Sequence, residues 1–109
     1  MLKRQAIAAV FMVILVNPVQ AITVQKYLQN KDQPGYDIYF VGLSDGLYWA
    51  NSASAADGAP LYCAPDNLAV VPEQYESILE RYVEQSLVST DQAEVGMVLQ
   101  FALQDAFPC

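Results

Sequence analysis

The N-terminus sets the frame for everything after it. Lys3 and Arg4 precede an unbroken apolar run from Ala6 to Val16, and small residues follow at Val19-Gln20-Ala21. A bilayer span needs about 20 apolar residues, so this run is too short to cross. A basic start, a short apolar stretch and a small-residue cut site describe a secretory signal peptide instead. Residues 1–21 are therefore expected to be removed after Ala21, leaving 22–109 as one small domain. No second hydrophobic run follows, so no membrane association is expected after cleavage. No cysteine lies near the cut, which argues against a lipidated N-terminal anchor.

Export fixes how the two cysteines are read. Cys63 and Cys109 are the whole cysteine complement, and an even pair in an oxidising compartment is most simply one disulfide. Closing a loop of about 47 residues stabilises a fold by roughly 4 kcal/mol on the chain-entropy view. That is a large share of the stability of so small a domain. A zinc site is not expected, since two cysteines without any histidine fall short of four ligands.

Processing also sharpens the charge. All 12 acidic residues lie beyond the cut, against only Lys26, Lys31 and Arg81, which gives the mature chain a net charge of −9. Such a chain is repelled by nucleic acid and by anionic membrane surfaces. Basic proteins are the charged partners it suits.

Periodicity then organises the mature chain. Val24, Tyr27 and Leu28 fall at helical spacing in Thr23–Asn30, closed by a polar run and the Pro34-Gly35 turn. The segment from Tyr36 to Ser54 reads two ways. By propensity, Ile38-Tyr39-Phe40-Val41 and Leu47-Tyr48-Trp49 flank Ser44-Asp45-Gly46 as a hairpin. By period, Tyr36, Tyr39, Phe40, Leu43, Leu47 and Ala50 form one helical face. The helical version sets Gly42 and Gly46 four apart, where another helix could approach closely, at about 1 kcal/mol of propensity each. Asn51 to Val71, rich in Ala, Ser, Asp, Gly and Pro, reads as a long ordered loop pinned by Cys63.

Two stronger helices follow. Tyr75, Ile78, Leu79, Tyr82 and Val83 repeat at the helical period behind Pro72, with Val71 a poor cap. Ser89 and Gln92 form a capping-box signature for a last helix carrying Val95, Val98, Leu99, Ala102, Leu103 and Ala106, stopped by Pro108. Met97 and Phe101 point away from that stripe. They are expected to be covered on the second side by the other helices, the alternative being a subunit interface.

Little supports catalysis. The absence of histidine removes the usual general base and any Ser-His-Asp triad, and no glycine-rich phosphate loop is present. Twelve acids make a chance carboxylate pair unremarkable, so neither an enzyme nor a cofactor is expected. The most ordered charge feature is Glu73, Glu76, Glu80 and Glu84, an acidic stripe spaced 3, 4 and 4. Like charges at i, i+4 cost a few tenths of a kcal/mol each. The stripe reads either as a solvated face or as a docking surface that speeds encounter with a basic protein.

The C-terminal stretch Ala102-Leu103-Gln104-Asp105-Ala106-Phe107-Pro108-Cys109 resembles the ending of the Rap/Tai family of immunity proteins. Tyr39-Phe40-Val41-Gly42-Leu43-Ser44-Asp45-Gly46-Leu47 and the Cys-x-Pro element in Tyr62-Cys63-Ala64-Pro65 extend the resemblance over most of Tyr36 to Cys109. Members of that family protect bacteria from type VI secretion toxins, notably peptidoglycan amidases. The resemblance implies an all-α fold, a small four-helix bundle-like domain with a long ordered loop and one disulfide, Cys63 to Cys109. It favours the helical reading of Tyr36 to Ser54. It also implies a periplasmic inhibitor, often a homodimer, that blocks the toxin's groove with a loop. The candidate partner-binding residues are then Ser54, Asp57 and Gly58 in the loop, and Glu76, Glu80 and Glu84 on the stripe. Val70-Val71-Pro72-Glu73 departs from the family by lacking a Ser/Thr cap before the third helix. The alternative is a periplasmic helical stress or chaperone-like protein with no toxin partner. That reading is weakened because only three basic side chains and the N-terminus would remain to drive acid unfolding by repulsion. A hydrolase using carboxylates is the remote third class.

Overall fold

The computed structural model describes residues 21–66, 71–86 and 88–109. The signal peptide assigned to 1–21 lies outside the described residues but for Ala21. Among these residues there are four helices: α1 (Val24–Asn30), α2 (Tyr36–Ala56), α3 (Pro72–Gln85) and α4 (Val95–Ala106). The protein is all-α, and the only sheet-like feature among the described residues is one isolated antiparallel bridge between Thr23 and Glu94. No helix among them is long and apolar enough to cross a membrane.

The apolar stripe of α4 is the centre of the core. Val95, Val98, Leu99, Ala102 and Leu103 are all buried, and α4 packs against Tyr75, Ile78 and Leu79 of α3 and Val24 and Tyr27 of α1. Truncating a side chain such as Leu99 there costs about 2–5 kcal/mol, the sum of lost transfer energy and an unfilled cavity. From α2 come Phe40, which stacks on Tyr27 at 4.9 Å between ring centroids, and the buried Ser44.

The segment with two readings is one helix of 21 residues. It runs further than the periodicity suggested and takes in Asn51 to Ala56, so the loop begins only at Asp57, and residues 67–70 of the expected ordered loop lie outside the described residues. Its end is a Schellman motif, in which the Ala59 N–H donates to the Ser54 carbonyl and the Gly58 N–H donates to the Ala55 carbonyl, each at 2.9 Å. Gly58 supplies the positive φ of +80° that this motif requires. The expectation that Gly42 and Gly46 admit a neighbouring helix is not met, since a side chain at either would meet nothing within 4 Å. Gly96 of α4 is the close approach instead, with Leu43 Cδ1 at 3.3 Å from where its Cβ would stand.

The capping signature at Ser89 also resolves differently. α4 starts at Val95, and Ser89 opens a turn in which the Gln92 and Ala93 N–H groups donate to its carbonyl. The Ser89 hydroxyl donates to Asp91 rather than accepting from the backbone as a cap would. The reason is tertiary. The Thr90 and Ala93 carbonyls accept from the Gln25 and Val24 N–H groups at the start of α1, while the Val95 N–H donates to the Ile22 carbonyl. Helix starts leave N–H groups without intrahelical partners. Here the starts of α1 and α4 satisfy each other across the bridge, and Thr23 adds a side-chain cap by accepting from Lys26 N–H.

Candidate functional site

Two sets of residues were expected to meet a partner, and each sits at a different place in the fold. On α3, the stripe is not a row of free carboxylates. Lys31, just after α1, reaches across to Glu76 Oε1 at 3.1 Å and Glu80 Oε1 at 2.7 Å. The buried Tyr27 donates its phenol to Glu76 Oε2 at 3.1 Å. Hydrogen bonds to Glu80 and Glu76 hold the Lys31 ammonium charged to higher pH than usual. Burial, then the Glu76 carboxylate, pushes the Tyr27 phenol up. The solvated-face reading of Glu76 and Glu80 is therefore corrected: they are half-buried clasps between α1 and α3. Glu73 and Glu84 remain exposed.

At the far end, Ser54 lies in the last turn of α2 and Asp57 and Gly58 form its cap, so this part of the expected blocking loop is helix terminus. Asp57 and Gly58 are exposed, whereas Ser54 is half-buried and its carbonyl is engaged in the cap. The chain then turns back along α2. Asn51 Oδ1 accepts from the Leu61 N–H at 2.7 Å and the Tyr62 N–H at 3.0 Å. Gln104 of α4 donates to the Leu61 carbonyl at 3.3 Å. The expected disulfide joins Cys63 to Cys109 with 4.9 Å between Cα atoms, and the Cys63 N–H donates to the Phe107 carbonyl at 2.9 Å. The bond suggests an oxidising environment of the kind exported chains meet.

Against this fastened segment lies a cavity of about 220 Å³, walled by Tyr48, Asn51, Ser52, Tyr62, Asp66 and Tyr75 among others. Tyr62 and Tyr75 are only 2% and 1% exposed, and both hydroxyls are shut away from solvent, close enough for each to perturb the other. Burial is the first cause of the raised pKa of both phenols, and each also feels the other. The sequence placed Tyr75 on the core stripe and Tyr62 beside a cysteine. Their meeting was not visible, because it depends on the loop folding back across α2.

The apolar surface is the remaining feature. Met97 and Phe101 are 48% and 45% exposed, so the expectation that α4 is covered on both sides does not hold. On α2, Ile38 and Trp49 are 72% and 65% exposed. Among the described residues, no group of three or more His, Cys, Asp or Glu side chains is arranged to hold a metal ion.

The geometry defines a class: a small all-α domain, with four helices among its described residues, in which Cys109 after the fourth helix is tied by a disulfide to Cys63 between the second and third. No protein-family model, curated protein or solved structure matches the chain.

Proposed function

We propose that this chain is a periplasmic immunity protein that binds and inhibits a type VI secretion toxin, a peptidoglycan amidase, by occupying it stoichiometrically. The observation that carries the reading is the junction of two segments resembling the Rap/Tai family. Tyr62-Cys63-Ala64-Pro65 and Phe107-Pro108-Cys109 are distant in sequence, yet the disulfide and the Cys63 to Phe107 backbone bond make them one unit. A binding role also suits the surface. Large apolar side chains are presented on α2 and α4, and aromatic and Met side chains are enriched at protein interfaces. The acidic mature chain favours a basic partner and speeds the encounter. On α3 the carboxylates free for that work are Glu73 and Glu84, since Glu76 and Glu80 are engaged by Lys31.

Co-expression tests the proposal. A type VI effector encoded beside this gene is directed to the periplasm of cells with and without the full chain. Survival only in the presence of the chain is the expected result. Lysis in both cultures, or the lack of any such effector, removes the immunity assignment.

A further inference from the structure

Helix α2 carries more apolar surface than the fold covers. Of its 21 residues only Asp37 and Asp45 are charged, and only Phe40 and Ser44 are buried. A helix that is apolar on nearly every side belongs in an interior, yet among the described residues α2 packs on one side alone. Ile38, Val41, Asp45 and Trp49 follow one another at spacings of 3, 4 and 4, which sets them in one row along its outer side. Ile38, Val41 and Trp49 are 72%, 43% and 65% exposed. Gly42 lies within the row and keeps it low, with nothing within 4 Å of where a side chain would stand. Glycine in a helix interior costs stability that no contact inside this fold explains.

The charge around the row has one sign. Glu73 of α3 lines, together with Asp37 and Val41, a cavity of about 230 Å³ at the start of the row. The lysine in that cavity, Lys31, is already held by Glu76 and Glu80. Asp37, Asp45 and Glu73 are exposed, and among the described residues no basic side chain pairs with any of them.

From these observations we infer that the outer face of α2 is the docking surface for the protein partner, which covers it with an apolar element rimmed by lysine or arginine. That the partner is the toxin rests on the proposed immunity function; the chemistry of the face does not. Ile38, Val41 and Trp49 supply the apolar centre of an interface, and the three carboxylates at its rim set register and turn away acidic surfaces. A second copy of the chain does not suit the face. Gly46 is the midpoint of α2, so pairing two copies about it sets Asp45 against Asp45, with no basic side chain on the helix to answer. An anionic membrane is repelled by the same carboxylates.

Trp49 is the single tryptophan of the chain, so its emission reads the face directly. Residues 22–109, with the disulfide formed, are titrated with a synthetic amphipathic helix of leucine and lysine, its counterpart of leucine and glutamate, and polylysine. A saturable blue shift that weakens with salt is expected with the leucine-lysine helix, and none with the other two. Ile38→Ser and Asp45→Lys should each weaken that binding about tenfold. Asp105→Lys, at an exposed position of α4, makes the same change of net charge as Asp45→Lys and should alter it less than about twofold. Gly42→Gln should melt no lower than the parent, since glutamine is the better helix former and the space is open, yet should dock more weakly. The proposal is overturned by no shift with the leucine-lysine helix, an equal shift with either other probe, or equal losses from Asp105→Lys and Asp45→Lys. A dimer in sedimentation that Trp49→Ser dissolves, or an equal shift with phosphatidylcholine vesicles, overturns it as well. The same variants are then tested against the effector, and only Ile38→Ser, Asp45→Lys and Gly42→Gln are expected to lose affinity. An effector that binds every form alike overturns the docking face while the immunity function stands. An effector that binds no form, with the leucine-lysine helix still saturating, removes the immunity function and leaves the face with its basic, apolar occupant.

Discussion

The two ends of this molecule are held by opposite means. At one end, α1 is fastened to the rest by the shared start with α4 and by Lys31 and Tyr27 clasping Glu76 and Glu80. At the other, the chain terminus is fastened by a covalent bond from Cys109 to Cys63. The first end depends on protonation and salt, the second on redox state. A short helix of seven residues is marginal alone, so α1 is held by its contacts, whereas the covalent tie holds a segment with no helix among its described residues, 57–66. The apolar stripe of α4 runs between the two ends and carries the core past both.

The contrast breaks most visibly at the disulfide. Replacing Cys109 with Ser should lower unfolding free energy by about 2–5 kcal/mol in equilibrium denaturation, and reduction of the parent should reproduce the loss. At the opposite end, Glu76→Lys should cost about 1–3 kcal/mol, since it deprives the buried Tyr27 hydroxyl of its acceptor and sets a second cation against Lys31. Thus charge reversal on the stripe is not a neutral probe of partner binding unless it is confined to the exposed Glu73 and Glu84. Thr23→Ala should cost about 1 kcal/mol through loss of the α1 cap, read as a lower denaturant midpoint.

The smallest effect at neutral pH is the one that separates the ends by titration. Lys31 and Tyr27 both have raised pKa values in the folded state. Each therefore binds its proton more tightly when folded, so its contribution is fully present below the unfolded value and is lost as pH rises above it. Stability should hold from neutral pH to about 10 and then fall. Tyr62 and Tyr75 add to the fall in the same direction. Lys31→Met should reduce the alkaline loss, whereas Cys63→Ser together with Cys109→Ser, which leaves no thiol to titrate, should leave the pH dependence unchanged while lowering the whole curve. Denaturant midpoints measured from pH 7 to 11 separate the two.

What the sequence made legible follows the same division. The covalent end was legible because two cysteines admit one pairing, and α3 and α4 because Ile78, Leu79, Val98 and Leu99 sit on strong local periods. The clasp was not, since Lys31 meets Glu76 and Glu80 across 45 and 49 residues; an acidic stripe looks the same whether it faces water or a lysine from elsewhere. Ser89 and Gln92 misplaced the start of α4 because the Thr90 and Ala93 carbonyls are drawn to α1, a tertiary demand that a local capping pattern does not encode. Strand-favouring side chains in Tyr36 to Ser54 gave that segment its hairpin look. Phe40 and Ser44, four apart and both buried, show the helical period prevailing once there was a core to face. Of the candidate site, Asp57 and Gly58 read as the body of a loop and are instead the cap of α2, because the helix continues through Ala56. The meeting of Tyr62 and Tyr75 went unseen because the period that puts Tyr75 on the core stripe says nothing of the loop that brings Tyr62 to it.

The central proposal is stoichiometric inhibition, and titration measures it most directly. Residues 22–109, with the disulfide formed, are added to a purified amidase effector where one is encoded beside the gene, and release of cleaved peptide from peptidoglycan is followed. The account predicts activity falling linearly to zero at one chain per enzyme, with association slowed by added salt because the acidic chain meets a basic enzyme. Full amidase activity in the presence of excess chain would contradict it.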